Sequence, residues 1–248
     1  MAACAGPPPA RPRRPGVLLA GLIGLAALVA SLPGRAAERD PLESMRLDIM
    51  GTVSVHAPDL SAFPRWRAAL AEVEPWLARM AACAERPCPD LSLPEKVWLN
   101  RIQGLSRLPP DRLARAVATF LDDLLALSPE AIAAEHVGPW PTMQNLLAGD
   151  GRDGLGRALA RYYTLRAAGL DPDHVRLIVA RDTLTLETTH VVLVETPQVQ
   201  IAMTRYGVHR PDSGREHAFV PVYAFDHSGR WLYFPETVLD EAAPAPSD

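Results

Sequence analysis

Thiols are scarce in this chain, with three cysteines among 248 residues, and the first of them, Cys4, lies at the extreme N-terminus. The other two, Cys83 and Cys88, are separated by four residues, with no histidine nearby. Two thiols at that spacing fall short of a zinc centre, which needs four ligands. In an oxidising compartment the pair closes a local disulfide at the end of a helix. Basic clusters are missing from the body of the chain. The strongest, Arg11, Arg13 and Arg14, lies at the N-terminus, and the formal charge is −4. Nothing there offers the electrostatic footprint of a nucleic-acid binder, so no nucleic-acid partner is expected. The phosphate-cradling pattern GxxxxGK[ST] is also absent. One further absence is local: no Cys, Ser or Thr lies between Asn145 and Thr164.

What is present begins with an export signal. The basic segment ending at Arg14 precedes the uncharged apolar run Val17–Leu32, and Pro33-Gly34 then break a helix before the small residues Ala36-Ala37. Residues 1–37 therefore read as a signal peptide, or as an N-terminal anchor tethered through residues 17–32, and the expected location is the periplasm. Arg13-Arg14 also suggest a twin-arginine route. Removing 1–37 takes away four arginines and no acids, which carries the formal charge from −4 to −8.

Residues 38–60 have weak periodicity and read as an extended lead-in. Helical spacing starts after Ser61-Ala62-Phe63-Pro64, with Trp66, Leu70, Val73, Leu77 and Met80 on one stripe up to Cys83. Pro75 falls inside that stripe and predicts a kink or a break there. A short helix follows over Trp98–Leu105. Another starts at Pro109-Pro110-Asp111, with Leu113, Val117, Phe120, Leu121 and Leu124 on its buried face. Ser128–Gly138 reads as a loop or irregular helix, and Gly149-Asp150-Gly151 as a loop before an amphipathic helix beginning after Asp153. Beyond Gly169 the period changes to that of strands, at Val175–Ala180, Thr183–Glu187, Thr189–Glu195 and Val199–Thr204. A hairpin follows, Val220–Phe225 with Arg230–Tyr233, and 236–248 reads as a disordered tail of alanine, proline and acids. Helices first and strands afterwards predict an α+β domain over 61–235, with helices packed on an antiparallel sheet.

Several segments together resemble the bacterial transglutaminase-like cysteine peptidases, of the LapG-type periplasmic protease group. They are Trp140-Pro141-Thr142, then Asp153, Ala158, Arg161, Leu165 and Gly169 in ungapped register, His190 within Thr188–Leu193, and Pro221-Val222-Tyr223-Ala224-Phe225 followed by Trp231-Leu232. The resemblance implies a papain-like or transglutaminase-like fold. It also implies a cysteine nucleophile at a helix N-terminus, a histidine general base on a strand and an orienting acid on the next strand. A helix N-terminus suits the nucleophile, because it lowers the thiol pKa and points free N–H groups at the oxyanion. In this register the nucleophile position is Gly154, the general base is His190 and the acid position is Met203. The binding cleft would hold Trp140, Asp153, Gly154 and His190. Asp212 and Glu187 are the other acids available to serve His190, though neither falls at the expected place.

The family's calcium is held by acids flanking the cysteine, and of that set only Asp153 remains, followed by Leu155 and Gly156. One carboxylate is far from the six to eight oxygens calcium takes, so calcium binding is expected to be lost and no cofactor is expected. The helix Val117–Asp122 resembles a family segment with two asparagines, both replaced here, by Ala118 and Asp122. Polar positions are lost beside retained apolar ones. The expectation is an inactive homologue that binds a peptide segment of a surface adhesin or an inner-membrane receptor. Two alternatives stand beside it: a periplasmic hydrolase using His190 with a different nucleophile, and a structural envelope protein.

Overall fold

The computed structural model describes residues 45–47, 49, 52–125, 139–151, 153–211 and 219–235. The leader 1–37, the Ser128–Gly138 segment and the tail 236–248 lie outside the described residues. Among the described residues no helix is long and apolar enough to cross a membrane.

Eight strands form one antiparallel sheet. They are β1 (Met45–Leu47), β2 (Thr52–Ala57), β3 (Val175–Asp182), β4 (Thr188–Thr196), β5 (Val199–Thr204), β6 (Gly207–His209), β7 (Phe219–Phe225) and β8 (Arg230–Pro235). Their order is β1-β2-β8-β7-β3-β4-β5-β6. The segment read as an extended lead-in thus supplies two strands, and β2 pairs with β8 from Thr52↔Pro235 to Ala57↔Arg230. Thr52-Val53-Ser54-Val55 alternates over too few residues to reveal a strand without its partner.

Among the described residues five α-helices precede β3: α1 (Pro64–Glu85), α2 (Leu93–Leu105), α3 (Pro110–Leu125), α4 (Met143–Ala148) and α5 (Gly154–Ala167). The break expected at Pro75 does not occur, and α1 runs 22 residues through it. Trp66, Ala69, Val73, Met80 and Cys83 are buried along α1 while Pro75 is exposed, so core packing holds the helix across the missing donor. Cys83 and Cys88 form a disulfide just past its end. α2 opens with a reciprocal cap, Ser92 Oγ accepting from the Glu95 N–H and Glu95 Oε2 accepting from the Ser92 N–H. The short α4 has the same device in Thr142 and Asn145, and ends at Gly149 in the left-handed region at φ 111°.

The proposed strand Thr183–Glu187 is a turn. Its Thr-Leu-Thr-Leu alternation mimics a strand, but the Asp182 carboxylate accepts from the Leu184 and Thr185 N–H groups and from the Tyr206 hydroxyl. Those bonds curl the chain, leaving Leu184 76% and Leu186 63% exposed, the latter at φ 59°.

α5 is the central helix. Leu155 through Leu165 are all buried except Arg157, and the helix packs on α3, β3 and β4. Its buried Arg161 donates to the Thr204 carbonyl at 2.9 Å and to Asp122 at 3.3 Å. Asp122 on α3 therefore tethers α5 through Arg161. The main core lies between the helices and one face of the sheet, and joins Trp66, Trp98, Tyr162, Val192, Met203 and Phe225. Ile178, Val191, Leu193, Ala202 and Ile49 form a second cluster on the opposite face.

Candidate functional site

Asp153 caps α5, its Oδ1 accepting the Gly156 N–H at 2.8 Å, and Gly154 is the first helical residue. A side chain added at Gly154 would meet nothing within 4 Å. The position that the resemblance assigns to a nucleophile is therefore open space. Two residues on, the situation reverses. A Cβ at Gly156 would lie 1.6 Å from the Gly151 carbonyl oxygen and 2.9 Å from Leu146. The loop after α4 closes directly over the first turn of α5.

That closure bears on the calcium ion the resemblance implies. One of the flanking acidic positions is Gly156, where the Gly151 carbonyl occupies the direction an acidic side chain would take, and the other is the apolar, buried Leu155. The residues present do not fit a calcium site. Among the described residues no group of three His, Cys, Asp or Glu side chains could hold a metal ion.

His190 stands near the start of β4 and is partly buried. Burial pushes its imidazole down to about 4, against the pull of the Asp153 carboxylate, which favours the protonated ring. The ring is neutral at pH 7. Asp153 thus acts electrostatically on His190 although 37 residues separate them in the chain, and α5 packs on β4, the strand that carries His190.

The other proposed site residues divide. Met203 lies on β5 opposite Val192, fully buried in the main core, where its side chain packs. Asp153 is the acid that acts on the imidazole. Glu187 is exposed and within 3.9 Å of Arg205, while Asp212 lies outside the described residues. Trp140 sits against Trp66 at 5.7 Å and Phe225 at 5.8 Å between ring centroids, in the aromatic wall formed by α1 and β7. Cys83 and Cys88 are tied together at the end of α1 and add no free thiol.

One residue at the site lies in a segment that carries the resemblance but was not read from the sequence as a site residue. Tyr223 is opposite Val179, which in turn is opposite His190, so all three project from the same face. Tyr223 packs on Phe63 and Phe225, and partial burial raises its hydroxyl pKa. The sequence places Tyr223 in a hairpin, but cross-strand register alone brings it into line with His190. The site brings together a neutral imidazole, an acid-capped helix start, open space at Gly154 and an aromatic flank.

No family model matches the chain, and no curated protein matches it. Among solved structures, calcium-bound LapG of Legionella pneumophila is similar to it, at 19% identity and a TM-score of 0.49, covering 63% of this chain and 87% of that one. A second structure of the same LapG gives the same values. The EGTA-treated form is 18% identical over 66% of this chain and 91% of that one, again with a TM-score of 0.49.

Proposed function

We propose that this chain is a non-catalytic member of the transglutaminase-like cysteine peptidases, exported to the periplasm, that binds a peptide segment of another protein without cleaving it. The observation that carries this reading is the open space at Gly154, next to the Asp153 carboxylate that acts on the neutral ring of His190. A cysteine peptidase needs a thiolate and a histidine to take and return its proton. Here the histidine and the helix start are retained and the thiol is not. The Met203 position, buried among apolar side chains, supports the same reading, because it offers no carboxylate to orient an imidazolium. The partner classes are those the family resemblance implies, a surface adhesin segment or an inner-membrane receptor, and calcium plays no part.

A fluorescent adhesin-derived peptide containing Ala-Ala tests this in two arms. The wild-type chain is expected to bind the peptide and return it intact, whereas product release that His190→Ala abolishes would overturn the proposal. In the second arm, Gly154→Cys is expected to fold and to react with iodoacetamide near pH 7 at least about tenfold faster than the same variant carrying His190→Ala, since the neighbouring base raises the thiolate fraction. Equal labelling rates would show that position 154 and His190 do not face each other as a nucleophile and base would.

A further inference from the structure

The residue opposite His190 begins a line that continues well beyond the site. His190 pairs with Val179, Val179 with Tyr223, Tyr223 with Leu232, and Leu232 with Val55. Direct cross-strand partners project from the same face, so these side chains form one row from β4 to β2. At roughly 4.8 Å per strand the row is about 19 Å long, the span of about six residues of extended chain.

Helix cover fails along this row. Val179 is 6% exposed, beneath the helices, while Leu232 is 37% exposed. Beside the row, on the same sheet, Val220 is 51% and Phe234 37% exposed. The register of β7 against β3 shifts between Val179 and Ala180, and Val222, the residue left over there, is 48% exposed. A bulge turns side chains away from the regular pleat, and this one adds a valine to the apolar strip where it meets the site.

The charge beside the strip has one sign. Arg181, two residues beyond Val179 on β3 and opposite Val220, is exposed, with no acid within ion-pair distance among the described residues. Arg230, the other cation on this face, is held by Asp59 at 3.9 Å and lies over the Phe63 ring. Among the described residues the unmatched charge is therefore a single cation at the edge of an apolar track. The strip offers on the order of 350 Å² from its half-exposed side chains, less than half of the ~800 Å² per partner that a stable dimer buries. Its size fits a single strand of polypeptide.

We propose that this strip is the docking track for an extended segment of a partner protein, with apolar side chains at alternate positions and an acidic side chain that meets Arg181. This rests on the peptide-binding reading of the His190 site and extends it: that site lies at one end of the row, and recognition comes from its exposed part on β7 and β8.

The probe is the capped, fluorescein-labelled peptide Ala-Ala-Val-Glu-Leu-Ser-Val, read by fluorescence anisotropy with the full chain, while His190 ring resonances are followed by NMR. A peptide with its Val and Leu residues replaced by Ser is expected to bind at least tenfold more weakly. Leu232→Asp, and independently Val222→Lys, is expected to weaken the parent peptide at least tenfold while far-UV circular dichroism stays unchanged. Arg181→Glu is expected to reverse the preference between the Glu peptide and its Lys counterpart. Equal affinity for the apolar and Ser peptides overturns the track. So does undiminished binding by both folded variants; if the His190 resonances still move, the cleft reading survives. Absence of binding by any of the peptides overturns both. A wild-type dimer in sedimentation that Leu232→Asp converts to monomer also overturns the track, by assigning the strip to a second copy of the chain.

Discussion

At the scale of single residues, His190 is a base in surroundings that favour its neutral form. Its folded pKa of about 4 lies below the ordinary 6.5. As pH falls, the unfolded chain takes up a proton first, so the stability tied to the neutral ring is full above about pH 6.5 and is lost as pH falls towards 4. By pH 4.5 the loss is about 2 kcal/mol. Urea unfolding at pH 7.5 and 4.5 should show this drop in the wild type, and His190→Asn should be less pH-sensitive by about that amount. Identical pH profiles would mean that His190 is not buried as described. The residue types at 154 and 190 were legible in the sequence, because the resemblance runs without gaps up to the glycine. The state of the imidazole was not, since it depends on burial between α5 and β4 and on Asp153, 37 residues away in the chain.

At the scale of elements, the start of α5 shows how two glycines in one turn can serve different ends. Gly154 has free space, whereas Gly156 is pressed by the Gly151 carbonyl. Gly154→Ala is expected to leave stability unchanged or raise it by up to about 1 kcal/mol, since alanine restricts the unfolded chain. Gly156→Ala should cost about 1–3 kcal/mol by pushing the loop off the helix. Thermal unfolding of the two variants decides it, and equal stability would show that the loop does not sit over α5. The sequence suggested only a glycine-rich loop before a helix here. Local pattern misled elsewhere too. Thr183–Glu187 alternates like a strand, yet the Asp182 side chain imposes a turn. Pro75 reads as a break, yet α1 continues, because the apolar stripe on both sides of it is anchored in one core.

At the scale of the molecule, the helical layer and the sheet are joined at Trp66. Its side chain is fully buried, its indole N–H donates to the Asp226 carbonyl at 3.0 Å, and it contacts Trp140, Tyr162 and Phe225. Four separate parts of the chain meet there: α1, the segment before α4, α5 and β7. Asp226 itself is buried and holds the β7–β8 hairpin, accepting from the Ser228 and Gly229 N–H groups and from the Trp231 indole. Trp66→Ala is expected to cost about 3–5 kcal/mol in urea unfolding, and a loss below about 1 kcal/mol would contradict this junction.

The sequence by itself determined the class of fold, the positions of the main helices, the disulfide, and the absence of a thiol at the start of α5. Those features follow from local periodicity, from spacing, and from which residue types can do chemistry at all. Only the tertiary structure decided that residues 45–57 complete the sheet, that the Asp153 carboxylate acts on His190 while Met203 is buried in the core, and that Tyr223, Leu232 and Val55 extend the His190 row. Each of these depends on the register between strands remote in sequence, or on what buries a side chain, and neither is encoded in any local stretch of the chain.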